Sequence, residues 1–199
     1  MAPISTVPIW LASRSPRRQE ILSQMQVCFE LLLPDDPQAA EALETVRPHE
    51  APDQYVARVT QAKLSLAIKK VASQSLPSRT ILAADTTVAL GGKILGKPAD
   101  AEQCREMIDQ LSGRSHRVLT AVAVARGQKI RHKVQVSRIT FARIKADEID
   151  AYAQSGDGLD KAGGYGIQGY AACFIRRIEG SYSGIMGLPI YETRQLLGR

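Results

Sequence analysis

The sequence, 199 residues long, predicts a mixed α/β domain, and three observations carry that expectation. Apolar residues make up 44% and charged residues 23%, the balance of an ordinary globular chain. Segments with the strand period of two alternate with segments of helical period. No linker-like stretch divides the chain, so residues 1–199 are expected to form one domain around one sizeable core.

The elements follow in order. "PIWLA" (8–12) reads as a first strand. A helix is expected from Pro16, whose fixed φ suits the first helical position, with Ser15 as its cap. Ile21, Leu22 and Met25 give that helix an apolar stripe. "CFELLL" (28–33) reads as a second strand. Residues 34–51, acidic and broken by prolines, read as a loop. The pattern from Pro52 to Ser73 is helical. "ILAADTTVAL" (81–90) is a strand, turned by Gly91-Gly92 into a short "KIL" strand. A helix over 100–112 carries Ala101, Cys104, Met107, Ile108 and Leu111 at helical spacing, with Asp100 and Gln103 as a capping pair and Gly113 as terminator. Two long β segments follow (116–125 and 130–144), then a short helix at 147–154. Nine of the fifteen glycines fall between 156 and 187, which marks tight, functional backbone. "YAACFIRRI" (170–178) reads as strand, and Pro189 opens a last helix.

Composition narrows the function classes. The net charge of +6 admits nucleic acid, nucleotides or an anionic membrane as partners. The basic residues are scattered, however, and aromatics are 5%, which counts against a single-strand stacking platform. Cys28, Cys104 and Cys173 are far apart and odd in number, so they read as small core residues and not as a disulfide framework. His49, His116 and His132 match no zinc spacing. No apolar run approaches a membrane span, and no secretory leader is visible, so a reducing, cytoplasmic setting is expected.

Three places carry chemistry. The first is "SRSPRR", where a strand runs through a short turn into a helix N-terminus. Free backbone N–H groups there favour an anion, Ser13 and Ser15 add hydroxyls, and Arg17 and Arg18 add bidentate forks. Cations are otherwise unfavourable at that end, and the bland alternative is a solvated basic patch. The second is Asp85, a carboxylate inside an apolar strand. Period two puts Leu82, Ala84, Thr86, Val88 and Leu90 on a core face, and Ile81, Ala83, Asp85, Thr87 and Ala89 on the other. A carboxylate is costly there unless it is paired, holds a metal, or sits at a bulge satisfied by backbone. The third is a pair of lysines. Lys63 lies on the inward stripe of its helix, and Lys97 is held in the turn "LGKP". Snorkelling and plain solvation are their bland alternatives. "GYGIQG" (164–169) matches a dinucleotide fingerprint by letters alone, since it neither follows a strand nor opens a helix. No P-loop motif is present.

The chain also resembles the Maf (septum-formation) family of nucleoside triphosphate pyrophosphatases, from Trp10 to about Leu197. "LASRSPRR", "YVARVTQAK", "AADTTVAL", "LGKP", "LSGRSHRVLTAV", "DKAGGYGIQG" and "GSYSGIMGLPIYET" carry the resemblance. It implies an elongated mixed sheet flanked by helices, akin to the inosine triphosphate pyrophosphatases, with a central cleft between two lobes, and commonly a homodimer. It implies hydrolysis of the α–β phosphoanhydride with a divalent metal, Mg²⁺ or Mn²⁺. "SPRR", "ADT" and "GIQG" resemble the dTTP/UTP pyrophosphatase branch. On that resemblance Asp85 is the proton acceptor. Arg17, Thr86 and Gln168 set base specificity, and Ser13, Arg18, Lys63, Lys97 and Lys161 surround the phosphates. Relatives often carry an acidic pair after the second strand. Here Asp35, Asp36, Glu41 and Glu44 all compete for that place, and Asp85 is itself a candidate metal ligand.

The expectation is a house-cleaning pyrophosphatase for dTTP, UTP or modified pyrimidine nucleotides, without nucleic-acid or membrane partners. Its rivals are a nucleotide-sensing regulator with the same pocket and no turnover, and a basic nucleic-acid binder whose affinity falls steeply with salt.

Overall fold

A computed structural model describes residues 5–198. Residues 1–4 and 199 of the expected domain lie outside the described residues.

The strands are β1 (Ser5–Leu11), β2 (Val27–Leu31), β3 (Ile81–Leu90), β4 (Lys93–Leu95), β5 (Ser115–Arg126), β6 (Lys129–Phe141) and β7 (Ile175–Glu179). The helices are α1 (Pro16–Gln24), α2 (Pro37–Ala42), α3 (Pro52–Ser73), α4 (Ala101–Leu111), α5 (Ala146–Gln154), α6 (Tyr182–Met186) and α7 (Ile190–Leu196). The seven strands form one mixed sheet in the order β2-β1-β3-β5-β6-β7, with β4 added beside β3. β1 runs parallel to β2 and β3, and the remaining pairs are antiparallel.

The expected α/β architecture is present. α3 packs on one face of the sheet, where Ala83, Ala89, Ala121 and Ala123 are small enough to let it approach. On the other face Leu82, Ala84, Val122 and Val124 meet residues of α1, α6 and α7. Farther along that face Val88, Val118, Ile139 and Phe141 meet α4 and α5. Both faces of β3 are therefore core, the small-sided one being covered by α3. A strand in the middle of a sheet covered on both sides must be apolar on both.

One irregularity positions the site. On one edge β3 pairs with β1 at Ile81 and Leu82, and with β4 from Val88 to Leu90. No described strand covers the edge between them. β5 continues along the opposite edge through Asp85–Ala121 and Thr86–Thr120. The gap opens a cleft in the sheet, and side chains from both faces of β3 reach it.

Other expectations are corrected. Residues 34–51 include helix α2, with Pro37 at its start and the Asp36 side chain accepting from the Gln38 and Ala39 amides. None of its residues is buried, so its apolar pattern is absent and capping alone marks it. "YAACF" is a 3₁₀ segment, and strand β7 begins at Ile175. Tyr182–Met186 is a helix with no sequence expectation, capped by the Ser181 hydroxyl. Cys104 is buried as expected, whereas Cys28 and Cys173 are exposed. Much of the basic charge on β5 and β6 serves the C-terminal helix. Arg126 donates to Leu197 O at 3.0 Å, Arg131 to Leu196 O at 2.5 Å, and Lys133 to the Gln195 side chain. Cations are favourable at such an end, where the last carbonyls lack intrahelical partners.

No described helix is long and apolar enough to cross a membrane.

Candidate active site

The cleft has a volume of about 670 Å³, in the range of small-molecule sites. Ser13, Arg17, Arg18, Lys63, Asp85, Thr86, Lys97, Lys161 and Gln168 all line it. Residues from Ser13 in the β1–α1 turn to Gln168 in the loop after α5 are thus gathered at the break beside β3.

At its floor lies Asp85, 6% exposed. Lys63 reaches it from α3, with Nζ 2.6 Å from Asp85 Oδ1. The inward stripe of α3 makes this possible: Val56, Val59, Thr60 and Leu64 are buried on the same side. The ammonium also lies 2.7 Å from Glu44 Oε1, and Lys97 Nζ lies 3.5 Å from Glu44 Oε2. Burial pushes the Asp85 carboxyl above its usual range, against the opposing pull of Lys63 and Arg18. Burial acts the same way on Glu44, but Lys63 and Lys97 together hold it below the usual glutamate value.

The structure separates the four acidic candidates after β2. Asp35 pairs with Lys70, and Asp36 caps α2. Glu41 and Glu44 line the cleft, and among the four Glu44 shares a partner with Asp85.

The two arginines do different things. Ser15 caps α1 as expected, its hydroxyl accepting from the Arg18 amide at 3.5 Å. The Arg18 guanidinium turns inward. Its Nε donates to Gly187 O at 2.8 Å, Nη1 to Ser13 Oγ at 2.9 Å and Nη2 to Thr86 Oγ1 at 3.3 Å. Burial lowers its pKa, while Asp85 favours its charge. Gly187 adopts φ +118°, a backbone conformation that side-chain-bearing residues rarely take. Thr120 Oγ1 donates to Gly184 O at 2.7 Å, so in its 2.9 Å contact with Thr86 the Thr86 hydroxyl is the donor. A one-way chain Arg18→Thr86→Thr120→Gly184 fixes that hydroxyl. Arg17 remains a third exposed, with Asp160 at 3.7 Å.

The loop after α5 supplies the opposite wall. Lys161 is held by the Asp157 carbonyl and lies 2.6 Å from Asp160 Oδ1. Gly166, Gln168 and Gly169 face the cleft, and the Gln168 side chain is exposed. Not every glycine here serves a ligand. Gly163 (φ +74°) instead lies against Val88, 2.9 Å from where its Cβ would stand. Tyr165 anchors the loop from below. Its hydroxyl lies 2.6 Å from His116 Nε2, and both rings pack edge-on against Phe141. His116 is thus a core residue whose pKa burial lowers to about 4.

The sequence reading missed Tyr55 and Glu44's particular place in the site. Tyr55 also lines the cleft, and its hydroxyl donates to Glu44 O at 2.9 Å. The i, i+4 and i+8 spacing of Tyr55, Val59 and Lys63 on α3 was the available signal for Tyr55.

Comparison with known proteins places the chain among relatives. The family model "Maf-like protein" matches residues 8–199. The dTTP/UTP pyrophosphatase of Cupriavidus metallidurans is 56% identical over 95% of this chain and 94% of its own length. That of Cupriavidus pinatubonensis is 54% identical over the same shares. That of Ralstonia nicotianae is 53% identical over 96% and 93%. On the matched span and these identities, the chain belongs to the Maf family.

Proposed function

We propose that this protein hydrolyses the α–β phosphoanhydride of dTTP and UTP, yielding the monophosphate and pyrophosphate. The observation that carries the proposal is a buried, basic-shifted Asp85 at the floor of a cleft whose walls present Arg17, Lys63, Lys97 and Lys161. The relatives, dTTP/UTP pyrophosphatases, suggest the substrate.

A triphosphate carries about four negative charges, and permanently charged forks and ammonium groups offset them at close range. In this reading Ser13, Arg18, Lys63, Lys97 and Lys161 surround the phosphates, Arg18 also orienting Ser13 and Thr86, and Arg17, Thr86 and Gln168 set the choice of base. Asp85 accepts the proton of the attacking water. Burial makes its carboxylate a stronger base than a solvated aspartate, and Lys63 keeps it oriented. Gln168 offers both a donor and an acceptor, as the edge of uracil or thymine requires. A uracil or thymine modified away from that edge would present the same donor and acceptor pattern.

The donor set suits Mg²⁺ or Mn²⁺. Glu44 and Asp85 converge on one point, and that point already attracts a cation, the Lys63 ammonium. Such ions commonly take one or two carboxylates, with phosphate oxygens and water completing the shell. Glu44 and Asp85 are the residues that would hold the metal. Bound there, it would draw charge from the phosphoryl oxygens and the leaving pyrophosphate.

A nucleotide panel assayed with each metal tests the proposal. Pyrophosphate release from UTP and dTTP, well above that from ATP and GTP, is the expected result. Absence of turnover with tight UTP binding would favour a sensor.

A further inference from the structure

The segment that carries Glu44 has little support of its own. α2, which precedes it, buries none of its residues. Residues 45–51 form no helix or strand, and His49 sits at a left-handed φ of 58°. Yet Glu44 must reach Lys63 and the floor of the cleft. What holds it is α3. Arg58 Nη1 donates to Leu43 O at 3.0 Å, and Nη2 to Thr45 O at 2.9 Å. Tyr55 donates to the carbonyl between them, that of Glu44. Three successive carbonyls are therefore fixed by two side chains one helical turn apart. Arg58 is itself fixed by a two-point pair with Glu50, Nε to Oε1 at 2.6 Å and Nη2 to Oε2 at 2.8 Å. Glu50 closes its own turn by accepting from the Arg47 amide at 3.2 Å. The guanidinium also lies 5.5 Å from the centre of the Tyr55 ring. The fork of an arginine is suited to this task, since one rigid group donates to the backbone and to a carboxylate together.

From this geometry we infer that Arg58, with Tyr55, is a positioning residue: it clamps residues 43–45 so that the Glu44 carboxylate stands opposite Asp85. The inference rests on the proposed metal role of Glu44. Arg58 lies outside the set of phosphate-binding cations, because its donors are spent on the 43–50 segment. Its effect is on the metal and on turnover, and not on the grip on nucleotide. Residues behind metal-holding groups typically change metal affinity or activity by about 10–100-fold when removed.

The test uses Arg58→Met, Tyr55→Phe and Glu44→Gln. It measures Mn²⁺ binding to the nucleotide-free protein, kcat and KM for UTP, and cleavage of the 43–50 segment by a nonspecific protease without metal. Arg58→Met is expected to weaken Mn²⁺ binding by about tenfold or more. It should lower kcat, leave KM within about threefold, and speed cleavage of the segment. In the Glu44→Gln background it should add almost nothing to either loss, as expected of residues that act as one unit. Tyr55→Phe, which keeps the ring and removes one hydrogen bond, should move every readout the same way by less. If Glu44→Gln weakens Mn²⁺ binding and Arg58→Met does not, the clamp is overturned while the metal reading stands. If Glu44→Gln leaves Mn²⁺ binding unchanged, the metal reading fails and the clamp's purpose with it. Should Arg58→Met not fold, Tyr55→Phe decides: parental Mn²⁺ affinity and kcat would overturn the inference.

Discussion

Lys63 Nζ stands 2.6 Å from Asp85 Oδ1, bridging the longest helix to the floor of the cleft. A lysine that snorkelled to solvent would have left Asp85 buried with far less compensation. The pairing explains how a carboxylate survives in the middle of an apolar strand, and the open edge of β3 explains why it remains reachable.

Asp85→Asn should separate activity from stability. Loss of the proton acceptor is expected to cost about 10²–10⁴ in turnover. Burial raises the folded-state pKa of Asp85 above its unfolded value, so the folded protein binds this proton more tightly. The stability linked to it is fully present below the unfolded value and is lost as pH rises through the folded one. At pH 7 the ionised group is therefore a net cost, and Lys63 retains Glu44 when Asp85 is replaced. Thermal melts at pH 7 should show Asp85→Asn at or above the parent. A large fall in Tm would show that Asp85 is structural.

Arg17 and Arg18 should behave differently despite adjoining in sequence. Arg18→Ala deletes hydrogen bonds to Gly187, Ser13 and Thr86 and should destabilise by about 1–3 kcal/mol as well as reduce activity. Arg17→Ala should leave chemical denaturation unchanged and reduce kcat/KM. Equal stability of the two variants would contradict the assigned geometry.

His116 should mark the acid limb of stability. Its folded-state pKa of about 4 lies below the unfolded value of 6.5. The contribution is present above 6.5, shrinks as pH falls toward 4, and changes no further below that. Denaturation curves between pH 4 and 7 should show this slope. His116→Phe combined with Tyr165→Phe, which leaves neither polar group unpaired, should flatten it. An unchanged slope would assign acid sensitivity to other groups.

Gln168→Ala should narrow the preference for UTP over ATP, since the polar pairing that rejects the wrong base is removed. Parallel loss on both nucleotides would place Gln168 at the phosphates or in the loop's fold, away from the base.

Much of this was legible in the sequence because the governing signals are local. Pro16 after Ser15 marked the start of α1, and the stripe argued from Val59 and Leu66 put Lys63 inside, although Leu66 itself is exposed. The period of β3 placed Asp85 and Thr86 on opposite faces. What it did not contain was the break in the neighbouring strands that lets both enter one cleft, because pairing beside β3 is decided by β1 and β4. The same limit hid the division between the arginines. Arg18 turns inward to a carbonyl 169 positions away, while Arg17 does not. The proposal of Glu44 over the other three acidic residues rests on the lysine it shares with Asp85, a contact between α3, β3 and the segment after α2 that no local pattern encodes.

The central claim is the bond that is broken. The most direct measurement incubates the purified protein with UTP and Mg²⁺ or Mn²⁺ and identifies both products. The account predicts UMP and pyrophosphate in equal amounts, with dTTP treated alike and ATP and GTP cleaved far more slowly. UDP with inorganic phosphate, or equal cleavage of all four nucleotides, would contradict it.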